Sequence, residues 1–242
     1  MGRAHEVRKE AMAKTAAFKS KLYSRFGKEI YMLAKNGVPD PDLNQPLKRM
    51  IEKAKAAQVP VDVIKRNIDK AKGAGGEDYF PVRYEGFAWG GATLIVECMT
   101  DNVNRTFGEV RAAFTKTGAK LGLAGSVLHN YQYVSMIVFD GWNEDEALEA
   151  LIEAECDVTD ISTEDGVVTV LGEPGKLDQI KDALVAKKPD LDVLVEKVTY
   201  LPAETVVLDD EDYGKFQRFL AMTDELDDVQ DVFHNIQLHD EE

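Results

Sequence analysis

The hydrophobic period of this chain changes once, near residue 80, and that change limits the folds open to it. Before it, apolar residues recur at helical spacing. Phe18, Leu22, Phe26, Ile30 and Leu33 form one stripe, predicting a long helix over residues 8–36 that stops at Asn36-Gly37. After the turn Pro39-Asp40-Pro41, Asp42 stands where it can cap a second helix with Leu43, Leu47, Met50, Ile51 and Ala54 inward. Pro60 opens a third, whose buried face is Val61, Ile64, Ile68 and Ala71. The run Gly73-Ala74-Gly75-Gly76 has no side chain to anchor a packed element, so it reads as a flexible boundary.

Beyond the boundary, residues 79–87 and 92–99 read as strands joined at Trp89-Gly90-Gly91. Val103, Phe107, Val110 and Phe114 mark a helix, with Thr106 and Glu109 fitting a capping box. Residues 134–200 then run strand (134–139), helix (144–154), strand (158–163), strand (167–171), helix (176–186), strand (192–200), which is the split βαβ or ferredoxin-like order. Asp165-Gly166 supplies a two-residue hairpin at its centre. A strand (205–208), a helix (210–222) and a strand (229–235) remain to complete the layer begun at residue 80. The predicted class is α+β: an N-terminal helical domain followed by two α+β domains, one ferredoxin-like and inserted in the other. The expected domains are 1–76, 80–133 plus 203–242, and 134–202.

Charge divides along the same line. The first 79 residues hold 17 Lys and Arg against 10 Asp and Glu, a net of +7, and the other 163 hold 12 against 34, a net of −22. Asymmetry of this size points to a nucleic-acid or membrane contact confined to one region, the alternative being lysines that merely solvate a helical domain. Lys14, Lys21, Arg25, Lys28 and Lys35 fall on one helical stripe, and Lys65, Arg66, Lys70 and Lys72 crowd the outer side of the third predicted helix. A row of cations at helical pitch can follow a phosphate backbone and release its counterions. Arg83, Arg105, Arg111, Lys116 and Lys120 extend that surface, with Arg105 and Lys116 predicted to face solvent. Tyr84, Phe87 and Trp89 surround a glycine turn and are candidates for stacking on unpaired bases, the alternative being packing between domains.

Nothing in the sequence points to catalysis. The four histidines are scattered without metal spacing, and the glycine run follows a helix and precedes a strand, the reverse of a phosphate-binding loop. Asp209-Asp210-Glu211-Asp212 sits where a helix begins, where carboxylates offset the helix dipole without a metal. Cys98 and Cys156 lie in apolar stretches and read as reduced packing residues. No apolar run is long enough to span a membrane and the N-terminus lacks the apolar core of a signal peptide, so a cytoplasmic protein is expected. No catalytic residue, cofactor, metal, membrane contact or small-molecule substrate is expected.

Four blocks together resemble the YebC/PmpR family of bacterial regulatory proteins, relatives of mitochondrial translational activators. They are Arg83-Tyr84-Glu85-Gly86-Phe87; Thr100-Asp101-Asn102-Val103-Asn104-Arg105-Thr106 with Val110-Arg111; Gly125-Ser126-Val127; and Asp228-Val229-Gln230-Asp231-Val232-Phe233-His234-Asn235. Where the family usually has Gly-Pro before the glycine turn, this chain has Ala88-Trp89. The resemblance implies three domains and a nucleic-acid-binding regulator of gene expression. DNA-binding transcriptional regulation leads, a ribosome- or RNA-associated translation factor is the alternative, and an acidic protein-interaction scaffold is a third. The expected partner is DNA, or ribosomal or messenger RNA, with the ribosome as the assembly in the second case. The chain shows no clear helix-turn-helix recognition element and no RNP-type motif, so phosphate contact is better supported than base readout.

Overall fold

The computed structural model of the chain describes residues 4, 7–8, 19–73 and 78–238. Helices α1 (Lys19–Lys35), α2 (Gln45–Ala56) and α3 (Val61–Lys72) pack around Ile30, Ala34, Leu47, Ile51, Ala54, Ile64 and Ile68. Residues 9–18, including Phe18, and residues 74–77 of the predicted boundary lie outside the described residues.

The cap of α2 is Asn44 rather than the expected Asp42. Its Oδ1 accepts from the Leu47 N–H at 3.1 Å, while its Nδ2 donates to the carbonyls of Leu33 and Val38, both at 2.9 Å. An amide can accept toward one helix while its two N–H groups donate to two carbonyls, and an aspartate carboxylate, with no donor, cannot. The helix therefore starts late, leaving Leu43 ahead of it and exposed; Val61, first residue of α3, is exposed too.

The first sheet has the order β3–β1–β2–β8, from β1 (Phe80–Phe87), β2 (Thr93–Thr100), β3 (Lys120–Leu121) and β8 (Val229–His234), all antiparallel. Helices α4 (Val103–Thr117) and α7 (Asp210–Asp224) close its core over Leu94, Val96, Val110, Phe114, Phe216 and Phe219. Three expectations are corrected here. Asn102, not Thr106, caps α4, because Thr106 is buried one turn inside and hydrogen-bonds Thr100. Val103 and Phe107 are exposed, so only Val110 and Phe114 of the predicted stripe enter the core. The strand expected at 205–208 is a single parallel bridge between Val206 and Ile236, with Val207 turned to solvent. Asp209 caps α7 by accepting from the Asp212 N–H at 2.9 Å, the dipole role expected of that acidic run.

Between these halves the chain builds a second antiparallel sheet, β5–β6–β4–β7, from β4 (Tyr131–Asp140), β5 (Asp160–Glu164), β6 (Val167–Gly172) and β7 (Asp192–Pro202). Helices α5 (Glu144–Glu153) and α6 (Leu177–Lys187) lie on one face, over Ile137, Phe139, Val168 and Val170. This is the ferredoxin-like order, interrupting the first sheet as predicted. Positive φ at Asp165 (56°) and Gly166 (78°) forms its central hairpin.

The opposite face carries Val134, Met136, Val138, Leu171, Val195 and Leu201, and Val7 from the N-terminal tip is buried against it. Arg8, the expected first residue of the long helix, is helical, and its guanidinium donates to the Glu164 carbonyl at 3.1 Å and to Asp165 Oδ2 at 3.2 Å. The two sheets meet through Ile95, Val127, Tyr200 and Phe233. Cys98 and Cys156 are buried and not joined in a disulfide. Among the described residues no helix is long and apolar enough to cross a membrane.

Candidate nucleic-acid interface

Helix α1 places its cations in a row, and the row faces inward. Arg25 pairs with Asp231 of β8. Lys28 donates to Asp228 Oδ1 at 3.0 Å and to the carbonyls of Met99 and Asp227 at 3.1 and 2.7 Å. Lys35 pairs with Asp78, and the ammonium groups of Lys35 and Lys70 lie over the Tyr31 ring at 5.5 and 5.4 Å. Lys14 and the side chain of Lys21 lie outside the described residues. The three described members of the row read from the sequence, Arg25, Lys28 and Lys35, are thus neutralised within the chain. Its pitch was legible, but the carboxylates it meets lie up to about 200 residues away in sequence.

Asp228 is the hub of this joint. Its side chain is 6% exposed and takes Arg105 Nη2 at 2.6 Å, the hydroxyls of Thr100 and Thr106 at 2.8 Å each, and Lys28. Burial works against its charge, yet the bonds from Arg105, Thr106, Lys28 and Thr100 outweigh burial and hold the carboxyl well below the usual range. Arg105, 45% exposed as its helical position predicted, also pairs with Asp101 at 2.7 Å. Arg83 pairs with Glu97 at 3.0 Å and donates to the Tyr200 hydroxyl.

Of the predicted phosphate contacts, Lys65 and Arg66 on α3 are exposed and without an ion pair among the described residues. Lys48 and Lys55 on α2 join them, and the sequence reading missed these two. Their spacing of seven residues, which sets them on one flank of α2, was the signal available. Arg111, Lys116 and Lys120 are exposed on and beside α4.

The aromatic trio separates. Trp89 is 9% exposed and donates Nε1–H to the Thr117 carbonyl at 2.9 Å, so it is core and cannot stack on a base. Tyr84 is equally buried, its ring centroid 6.1 Å from that of Phe107. Only Phe87, at 46%, faces solvent. Tyr133, which the sequence did not single out, is 48% exposed with its ring centroid 4.6 Å from that of Tyr200.

Glu85 explains the Gly125-Ser126-Val127 block. Its buried carboxylate accepts the N–H groups of Gly125, Val127 and Leu128 at 2.7, 2.8 and 2.9 Å. Burial opposes the charge, but these three bonds win and the carboxyl sits below its ordinary range. The loop so fixed carries the exposed Leu123.

The sequence matches the family domain described as TACO1/YebC protein N-terminal domain over residues 3–74, and TACO1/YebC second and third domain over residues 79–236. A protein of Vibrio atlanticus named a probable transcriptional regulatory protein is 52% identical over 238 residues, covering 98% of this chain and 100% of that one. A protein of Aliivibrio fischeri with the same designation is 52% identical over 240 residues, covering 99% and 100%. The crystal structure of a conserved hypothetical protein from Aquifex aeolicus superposes with a TM-score of 0.78 at 35% identity, covering 95% of this chain and 94% of that one. With matches to both parts of the family and relatives aligned end to end, the chain belongs to the TACO1/YebC family.

Proposed function

We propose that the protein is a non-catalytic, nucleic-acid-binding regulator of gene expression, in the first instance a DNA-binding transcriptional regulator, whose phosphate contacts come from the helical unit. One observation carries the reading: among the described residues, Lys48, Lys55, Lys65 and Arg66 stand exposed and unpaired on two adjacent helices of a chain whose net charge is −15. A polyanion repelled by most of the surface is admitted there. The naming of the relatives as probable transcriptional regulatory proteins supports the same role. In this reading the three predicted domains divide the work, with residues 1–76 gripping phosphate and the acidic remainder limiting where it binds.

The test is a salt series on random-sequence duplex DNA. Reversing Lys55, Lys65 and Arg66 to Glu is expected to weaken binding at every salt concentration and to flatten the log–log slope by about 0.9 for each phosphate no longer neutralised. An unchanged slope refutes the assignment.

A second reading, RNA or the ribosome as target, is favoured by the exposed rings of Phe87 and Tyr133, since unpaired bases stack on such faces. Single-stranded RNA in the same series separates the two: Tyr133→Ala weakens RNA binding alone if that ring stacks.

A further inference from the structure

The outward side of α2, opposite Leu47, Ile51 and Ala54, is covered by carboxylates of the ferredoxin-like unit. Arg49 reaches Asp182 with both terminal nitrogens, at 2.9 and 3.4 Å, and its Nε lies 3.6 Å from Asp178. Lys53 pairs with Glu196 at 2.8 Å and lies 3.8 Å from Asp178. The row continues through Glu29, whose charged neighbours include Lys53 and Arg25, to the Arg25–Asp231 pair. Cations and carboxylates thus alternate along one seam, with the cations on the helical unit and most of the carboxylates on the other two.

Two features show how this seam is held. The buried apolar cluster of α1–α3, among the described residues, draws on nothing beyond Ala71, so no apolar core runs across this seam, although Tyr31 of α1 meets Tyr79 edge to face. Arg49, Lys53, Asp178 and Asp182 are each between about a third and two thirds exposed, where ion pairs are weak and screened by salt, while Glu196, the nearest partner of Lys53, is 13% exposed and also takes Lys181. A planar guanidinium gripped by two carboxylate oxygens is also the geometry with which arginine takes a phosphate.

We infer that Arg49, Lys53 and Arg25 form a second phosphate-binding surface, masked in this conformation by Asp178, Asp182, Glu196 and Asp231, and that a nucleic-acid backbone competes with those carboxylates for it. The inference rests on the nucleic-acid reading above and deepens it. The exposed lysines make the first contact, and the masked row is uncovered only when a polyanion displaces the acidic units. Weak, nonspecific duplexes are held off, while a ligand reaching both surfaces gains affinity.

The experiment uses the full-length protein with random-sequence duplex DNA and a single-stranded homopolymer RNA as probes. Asp178→Asn with Asp182→Asn is expected to tighten binding by roughly two- to tenfold, the range set by two exposed pairs. The control with the same charge change, Asp160→Asn with Glu204→Gln at exposed positions off the seam, is expected to tighten binding less. Adding Arg49→Gln and Lys53→Gln to the first variant is expected to erase the gain. If the first variant binds no tighter than the control, or if its gain survives removal of Arg49 and Lys53, the masked surface is refuted while the exposed-lysine reading stands. If neither the wild type nor any variant binds either probe, both fall.

Discussion

Asp228 and Glu29 stand at the joint of α1 with β8, and their surroundings treat them in opposite ways. Asp228 is buried but collects an arginine, a lysine and two hydroxyls, so its charge is favoured. Glu29 has no such set: burial pushes its carboxyl up from 4.5, Arg25 draws it down, Asp231 pushes it up again and Lys53 draws it down, with the net upward. A carboxyl raised in the folded chain binds its proton at a pH where the unfolded chain has lost it. Its contribution to stability is therefore full below the unfolded value and is lost as pH rises through the raised folded value. Glutamine keeps the shape without the charge. Glu29→Gln is expected to melt above the wild type at neutral pH, with the difference shrinking toward zero as pH falls through the raised folded value. A lower melting temperature at neutral pH would mean that attraction to Arg25 and Lys53 outweighs the cost of burial.

Elements show how much of this protein can be read from its sequence. One substitution has opposite signs at two glycines around α4. At Gly86 on β1 an added Cβ would stand 2.2 Å from Phe114 Cε1 and 2.7 Å from the Lys120 carbonyl, so the strand could not pack under the helix. Gly86→Ala is expected to cost about 1–3 kcal/mol. At Gly108, exposed within α4, nothing lies within 4 Å, and Gly108→Ala is expected to add about 0.5–1 kcal/mol by stiffening the unfolded chain. Denaturant titrations of both read the signs directly, and equal signs would refute the packing account. Gly108 is legible as a glycine in a helical pattern, but the demand at Gly86 comes from a contact with residue 114 and is not. The same boundary runs through the rest. Periodicity found the helices, both sheets and the ferredoxin-like insertion, because apolar spacing is a local property. Asn44 over Asp42 as the cap of α2 was decided by the Leu33 carbonyl in the last turn of α1 and the Val38 carbonyl beyond it, and Trp89 was fixed by the Thr117 carbonyl, partners that no local pattern records. The cationic stripe was a local pattern, while the pairing of its Arg25 and Lys28 with Asp231 and Asp228 belongs to tertiary structure.

At the scale of the whole molecule, the N-terminal tip binds the start of the chain to its middle. Val7 closes the face of the second sheet that α5 and α6 leave open, and Arg8 fastens to the β5–β6 hairpin through Glu164 and Asp165. The helical unit is therefore tied to the ferredoxin-like unit twice, by this apolar contact and by the salt-bridged seam at Arg49 and Lys53. The two ties differ in kind. Raising the salt concentration weakens the seam but leaves the burial of Val7, which contributes about 1.5–3 kcal/mol, nearly untouched. Val7→Asp sets a charge against Val134, Met136 and Val138, so it should release the tip without altering any ion pair of the seam. Amide hydrogen exchange on the full chain is expected to rise in β4, β6 and β7, with α2 and α3 protected as before. Arg8→Ala should give a smaller rise confined to β5 and β6. Faster exchange in the three helices, with the second sheet unchanged, would show that the tip belongs to the helical unit after all and that the salt-bridged seam alone joins the two.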